Sequence, residues 1–285
     1  MRWRIRTLLW GRLGLDGGAM FGVVPKPLWE RTNPPDERNR IDLAMRGLLI
    51  ETENSVVLVD CGAGSKMPPK LRDIYAIREP DGGAEGVLAR AGLRVEDVTH
   101  LIISHLHFDH AGGCTVSRGG RIEPAFPRAT YFVQRRHLAW ARAPSVRDRA
   151  SFFAEDFEPL AEAGILRELD GPAEVLPGVR VEVADGHTPG LQVVFVEPSG
   201  GPAFVFPSDV IPTASHLPLP YVMGYDLEPL GTVSDKRRIL EKAATHGHRV
   251  VFEHDPMTAA VRIGKTQKGY EAIERLADPV EFPEG

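Results

Sequence analysis

"THLIISHLHFDHAGG", Thr99 to Gly113, decides the fold. Its first part is mostly apolar and β-branched, the composition of a buried strand. The part from His105 to His110 then gathers three histidines and one aspartate. Imidazole and carboxylate suit zinc and similar borderline cations. A tight strand-to-helix turn lets alternate side chains point to different sides. His105 and His107 can then take one metal ion, and Asp109 and His110 a second. Gly112 and Gly113 permit close backbone approach in that turn.

Two ions need more ligands, and the chain supplies candidates after other apolar runs. "VEVADGHTPG" puts His187 between a strand and a Pro-Gly turn. "FVFPSDV" places Asp209 after another strand, and "VVFEHDP" places His254 after a third. Each polar residue follows an apolar run, which is how a sheet presents a site at its edge.

Strand-like runs recur outside this set. "WRIRTLLW" alternates as a half-buried strand does, and "RGLLIE" and "SVVLVD" follow across a turn-like "TEN". Helix-like segments are expected at Pro69–Ile77, Ala84–Ala91 and Val233–Thr245, and in "RRHLAWAR". Residues 144–170 read as short helices in a polar excursion. The tail "AAVRIGKTQKGYEAIERLA" reads as a strand followed by a short helix. No repeat or linker divides the chain. The expectation is α/β, a single domain over residues 1–285, with two packed sheets and helices on the outer faces.

Composition narrows the function. Net charge is −5, without the basic excess that phosphate neutralisation demands, so a nucleic-acid partner is not expected. Two cysteines, Cys61 and Cys114, make no disulfide framework and suit a reducing cytoplasm. The basic start "MRWRIRTLLWGR" has too short an apolar run for a signal peptide, and no stretch is long enough to span a membrane.

The order HxHxDH, then His, Asp and His at strand ends, resembles the metallo-β-lactamase superfamily. "VVLVDCG" also resembles that family's strand and Asp-x-Gly turn, at Asp60 and Gly62. The resemblance implies an αβ/βα sandwich. It implies one ion on His105, His107 and His187, another on Asp109, His110 and His254, and Asp209 bridging them. Asp60 would orient a ligand imidazole. Two divalent ions, zinc first and manganese, iron or cobalt as alternatives, would generate a bridging hydroxide near neutral pH. The expected enzyme is a dinuclear metal-dependent hydrolase of a small-molecule ester or lactone, with Asp109 passing on a proton. Alternatives are a phosphotriester or phosphodiester hydrolase, or a mononuclear iron enzyme resembling persulfide dioxygenases. A homodimer is left open.

Within the superfamily the ligand pattern departs from the common dinuclear β-lactamases, which carry cysteine where Asp209 stands. It departs from flavodiiron reductases, which carry glutamate at the position of His107. The group containing acyl-homoserine-lactone lactonases and methyl-parathion hydrolase is the most similar. Lactonases of that group place a tyrosine three residues after the bridging aspartate, and here that residue is Pro212. Help at the reacting carbonyl is then expected from His216, Tyr221 or Tyr225. "GGAMFGVVPKPLW" is expected to reach over the site as a hairpin or loop, with Met20 and Phe21 as apolar substrate contacts. His137, beside Arg135 and Arg136, is expected on a solvated helix face. His100 is expected to be structural, and His246 and His248 to complement a helix end.

Overall fold

The computed structural model describes residues 3–267 and 269–282. The chain opens with a long antiparallel pair, β1 (Arg4–Asp16) and β2 (Arg40–Glu51). Two short helices, α1 (Gly17–Phe21) and α2 (Lys26–Trp29), join them. Next come β3 (Val56–Val59), α3 (Pro69–Ile74), α4 (Gly83–Arg90) and β4 (His100–Ile102). The ligand turn forms α5 (Phe108–Ala111) and leads to a small hairpin, β5 (Thr115–Arg118) and β6 (Arg121–Pro124). Then follow β7 (Thr130–Gln134), α6 (Arg135–Arg142), α7 (Glu158–Glu162) and β8 (Leu166–Leu169).

The second half is richer in strand. It runs through β9 (Ala173–Leu176), β10 (Val179–Ala184), β11 (Leu191–Val196) and β12 (Phe204–Phe206). The helix α8 (Pro229–His246) leads to β13 (Arg249–Val251), β14 (Ala260–Thr266) and β15 (Gly269–Leu276). The last strand, β16 (Glu281–Phe282), returns to the first sheet. One sheet has the order β16-β1-β2-β3-β4-β7-β8 and the other β15-β14-β13-β12-β11-β10-β9.

Period-two alternation builds four layers from these two sheets. Leu48, Ile50, Val57, Val59 and Ile102 pack inward against Val181, Val194, Val196, Phe204 and Phe206 of the other sheet. Their neighbours Leu49, Leu58 and Leu101 face outward, under Leu88, Leu138 and Leu160 of the helical layer. On the far side Val193, Phe195, Val205 and Val250 lie under Ile239, Leu240 and Ala243 of α8. The fold is therefore the expected αβ/βα sandwich of mixed sheets. Each of these large apolar side chains contributes about 1.5–3 kcal/mol by leaving water.

Three local expectations are corrected. The tail forms the hairpin β14–β15, not a strand and a helix. Tyr270 and Ala272 pack on the sheet core while Glu271 and Ile273 face out, so pairing with β14 overrides the helix-forming composition. The segment after Asp16 forms two helical turns rather than the expected hairpin or loop, and the Asp16 carboxylate caps the first by accepting from Ala19 N at 2.8 Å. Residues 144–170 include β8, which extends the first sheet in parallel with β7. No described helix is long and apolar enough to cross a membrane.

Candidate metal centre

The site lies where strands run out. Asp60 directly follows β3, while His105, His187, Asp209 and His254 each follow shortly after the last residue of β4, β10, β12 or β13. The carboxyl ends of sheet strands are where such folds expose loops for chemistry. The HLHFDHAGG turn is held close to the Asp60–Gly64 turn. A Cβ on Gly112 would lie 2.2 Å from Ala63 O, and one on Gly113 2.2 Å from Cys61 O, so only glycine fits at both.

Two sets of ligand atoms converge. In one, His105 Nε2 and His187 Nε2 lie 3.0 and 3.2 Å from His107 Nδ1. Asp209 Oδ2 lies 3.2 Å from His187 Nε2 and 3.8 Å from His105 Nε2. In the other, His254 Nε2 lies 3.2 Å from His110 Nε2. Asp109 approaches those nitrogens to 3.7 and 3.8 Å, and Asp209 Oδ1 stands 3.0 Å from His254 Nε2. All seven candidate ligand residues are buried.

The surrounding residues aim these rings. His187 Nδ1 donates to Asp226 Oδ1 at 2.9 Å, and His254 Nδ1 to Ala44 O at 2.8 Å. His110 Nδ1 faces Glu253 at 2.8 Å and Asp60 at 3.2 Å. His105 Nδ1 lies 3.0 Å from Ser104 Oγ, whose proton goes to Asp60 at 2.5 Å. The tautomers that satisfy these partners leave Nε2 bare in the neutral rings of His105, His110, His187 and His254, and those of His110 and His254 face each other at 3.2 Å. Lone pairs at that spacing repel unless a cation lies among them, so the residues fit metal ions.

Electrostatics give the same sign. Burial, and then the neighbouring imidazoles, hold His105 and His107 well below the ordinary histidine range. Burial also pulls on His110 and His254, but the nearby carboxylates outweigh it and raise His110 well above that range and His254 to about 9. Burial works to raise Asp209, yet His254, His110 and His187 together hold it well below the usual carboxylate range. The cluster favours positive charge at its centre. Two of the four described left-handed non-glycine residues, Asp60 (φ 53°) and Ser208 (φ 49°), lie at the site, the other two being Asn39 and Ala76.

The non-ligand expectations fare unevenly. His216 does not reach the site. Its Nε2 donates to Met20 O at 2.8 Å, its Nδ1 accepts from Thr213 at 2.8 Å, and its ring stacks on Phe21. Burial lowers its pKa to about 3, so it is neutral and fully engaged. Tyr221 also misses the cavity and sets its ring edge-on against Phe21. Phe21 is stacked between His216 and Trp29, so it touches no substrate space. Tyr225 and Met20 do line the cavity above the ligands, with Asp109 and Asp209 at its floor.

His137 corrects the expectation of a solvated ring. It is fully buried; Nε2 accepts the Leu106 N–H at 2.7 Å and Nδ1 donates to Pro189 O at 2.8 Å. Burial lowers its pKa to about 4. One neutral imidazole thus ties the His105–His107 turn to the His187 turn. Its place beside Leu138 and one helical turn before Ala141, both buried, was the available signal. Asp226 and Glu253 were also missed. His100 is half-buried and stacks on Phe132, and His248 pairs with Glu197, both structural roles.

Residues 48–254 match the model of the metallo-beta-lactamase superfamily. The chain belongs to that superfamily. A Bacillus cereus N-acyl homoserine lactonase is 27% identical to this superfamily member over 235 residues, 76% of this chain and 83% of the relative. An N-acyl homoserine lactonase of Azorhizobium caulinodans is 30% identical over 191 residues, 65% of this chain and 68% of the relative. Among solved structures, a probable metal-dependent hydrolase from Staphylococcus aureus superposes with TM-score 0.88 at 27% identity, covering 96% of both chains. The dizinc quorum-quenching lactonase AidC, solved with its product, shares the fold at TM-score 0.78 and 21% identity, covering 95% of this chain and 94% of its own. With buried His and Asp groups placed to hold metal ions, this superfamily member is a metal-dependent hydrolase.

Proposed function

We propose that the protein is a dinuclear hydrolase of small-molecule carboxylic esters or lactones. One observation carries the reading. Asp209 stands between the two ligand sets, 3.2 Å from His187 Nε2 and 3.0 Å from His254 Nε2, at the floor of a cavity of about 360 Å³. Two divalent ions, zinc by the nitrogen-rich donor set, would supply a hydroxide near neutral pH and a Lewis acid for the acyl oxygen. His105, His107 and His187 would hold one, Asp109, His110 and His254 the other, with Asp209 shared. A mononuclear iron enzyme would leave the whole second set without a role. Buried free thiols at Cys61 and Cys114 favour a reducing compartment such as the cytoplasm.

The chain's own groups divide the remaining work. Leu15, Met20, Phe108 and Met223 wall the cavity and favour an apolar acyl or alkyl group. Asp109 lines the same space and is placed to take the nucleophile's proton and return it to the leaving oxygen. Pro212 offers no phenol; its carbonyl instead accepts the His254 N–H at 3.0 Å. Tyr225 takes over as the donor for developing charge on the acyl oxygen. Burial, then Tyr75 and Asp109, raise its pKa, so it keeps its proton at neutral pH.

A panel of zinc-loaded activity assays tests the substrate class, with lactones, including acyl homoserine lactones, aryl esters, phosphotriesters and phosphodiesters as its arms. Turnover of esters or lactones is expected to lead, and turnover confined to the phosphoryl arms would overturn the carboxylic preference. Tyr225→Phe is expected to lower kcat by about 10²-fold with a smaller change in KM, because the lost hydrogen bond strengthens as charge develops. Unchanged kcat would remove Tyr225 from the reaction.

A further inference from the structure

Three buried cations from outside the ligand set grip the loops that carry it. Lys66 donates to Gly112 O and Thr115 O, beyond α5, and pairs with buried Asp156 at 2.9 Å. Lys236 of α8 donates to Pro218 O and Tyr221 O in the loop that brings Tyr225 to the cavity. Arg46 of β2 serves the His254 turn and does so most completely.

Every carbonyl from Phe252 to Asp255 accepts a hydrogen bond from Ala44 or Arg46. The Arg46 guanidinium takes Phe252 O and, at 2.9 Å, Asp255 O. The Arg46 backbone takes Glu253 O at 3.0 Å, and the Ala44 backbone takes His254 O at 3.1 Å. His254 Nδ1 closes the set on Ala44 O. The Arg46 side chain is fully shielded from solvent and its counter-charge is Asp278, whose carboxylate accepts from Nε at 2.9 and 3.0 Å and also from Nη2. Thr7 Oγ1 donates to the same carboxylate at 3.0 Å. Both members of the pair lie outside the family match, which spans residues 48–254.

We propose that Arg46 and Asp278 are a positioning pair that fixes His254 in the second ligand set, an inference that rests on the dinuclear reading. A buried guanidinium stays aimed at two carbonyls only while a carboxylate balances it. Without Asp278 it turns toward water or other acceptors and releases the carbonyls on both sides of His254. The loosened turn weakens the ion held by Asp109, His110 and His254. The ion on His105, His107 and His187 keeps its ligands, which depend on other loops.

Zinc titration of the stripped full-length protein, with melting followed in parallel, tests this. Wild type is expected to bind two equivalents. Asp278→Ala is expected to keep the first at wild-type affinity and to weaken the second by about 10–100-fold, the usual scale for losing a ligand's support. Asp278→Asn, which keeps an acceptor, is expected to recover part of the loss and serves if the alanine variant does not fold. Val181→Ala, in the core between the sheets, controls for lowered stability and is expected to bind both equivalents normally. Wild-type affinity for both ions in the Asp278 variants overturns the pairing, as does equal weakening of both ions or the same loss in Val181→Ala. A wild type that binds only one equivalent overturns the dinuclear reading, and the pairing with it.

Discussion

Asp209→Asn is expected to lower kcat/KM by roughly 10³-fold, about 4 kcal/mol of lost transition-state stabilisation. The substitution keeps the shape of the side chain and removes its charge. Among the described residues that charge is the one carboxylate within 3.2 Å of a candidate ligand nitrogen in both sets, through Oδ2 to His187 and Oδ1 to His254. The buried side chain of Asn offers one weak acceptor where a carboxylate offered two. Metal content is expected to fall from two ions to one in the same variant. The measurement is kcat/KM on the best substrate of the panel, beside metal analysis of the purified protein. Retention of more than about a tenth of wild-type activity, on the scale where one unit of log rate is 1.36 kcal/mol, would remove Asp209 from the reaction.

The loss in Asp209→Asn differs in kind from that in the Asp278 variants. Asp209 touches the ligand nitrogens themselves, whereas Asp278 acts only through Arg46 and the main chain around His254. Weakened binding of one ion is therefore expected to be rescued by excess zinc in Asp278→Ala and not in Asp209→Asn. Mass action restores an ion to a loosened site, but it does not restore a missing ligand.

What was legible in the sequence follows from the range of each interaction. The strand runs before His105, His187, Asp209 and His254 are local patterns, and the end of each apolar run places the candidate ligand at a strand end without knowledge of the partner strand. The support of those ligands is not local. Asp226 reaches His187 across 39 residues, and Asp278 reaches Arg46 across 232. No periodicity links such pairs. His137 misled because the two charged residues just before it, Arg135 and Arg136, outweighed the buried stripe of Leu138 and Ala141. His216 misled because it stands near the ligands in sequence, while Thr213 and Met20 occupy both of its nitrogens. The tail misled because β15 takes its conformation from pairing with β14, which its own composition does not encode.

Chelation is expected to lower the melting temperature by about 15 °C or more, with recovery when zinc is returned. The argument starts from burial. His105, His110, His187 and His254 are at most 1% exposed, and Asp109 and Asp209 each 6%. Without ions His105 Nε2 and His187 Nε2 compete for one partner, His107 Nδ1, at 3.0 and 3.2 Å. The second set is left to draw protons onto His110 and His254 in place of the cation. An ion present at a thousand times its Kd stabilises the folded state by about 4 kcal/mol, and two such ions by about 8. In a chain of this size each kcal/mol moves the melting point by about 2–4 °C. Calorimetry of loaded, stripped and reloaded protein measures the shift. The Asp278→Ala variant is expected to lose about a sixth to a third of it, because a second ion held about 10–100-fold more weakly forfeits about 1.4–2.7 of the ~8 kcal/mol. Coincident melting of the loaded and stripped wild type would mean that the seven buried residues do not hold metal.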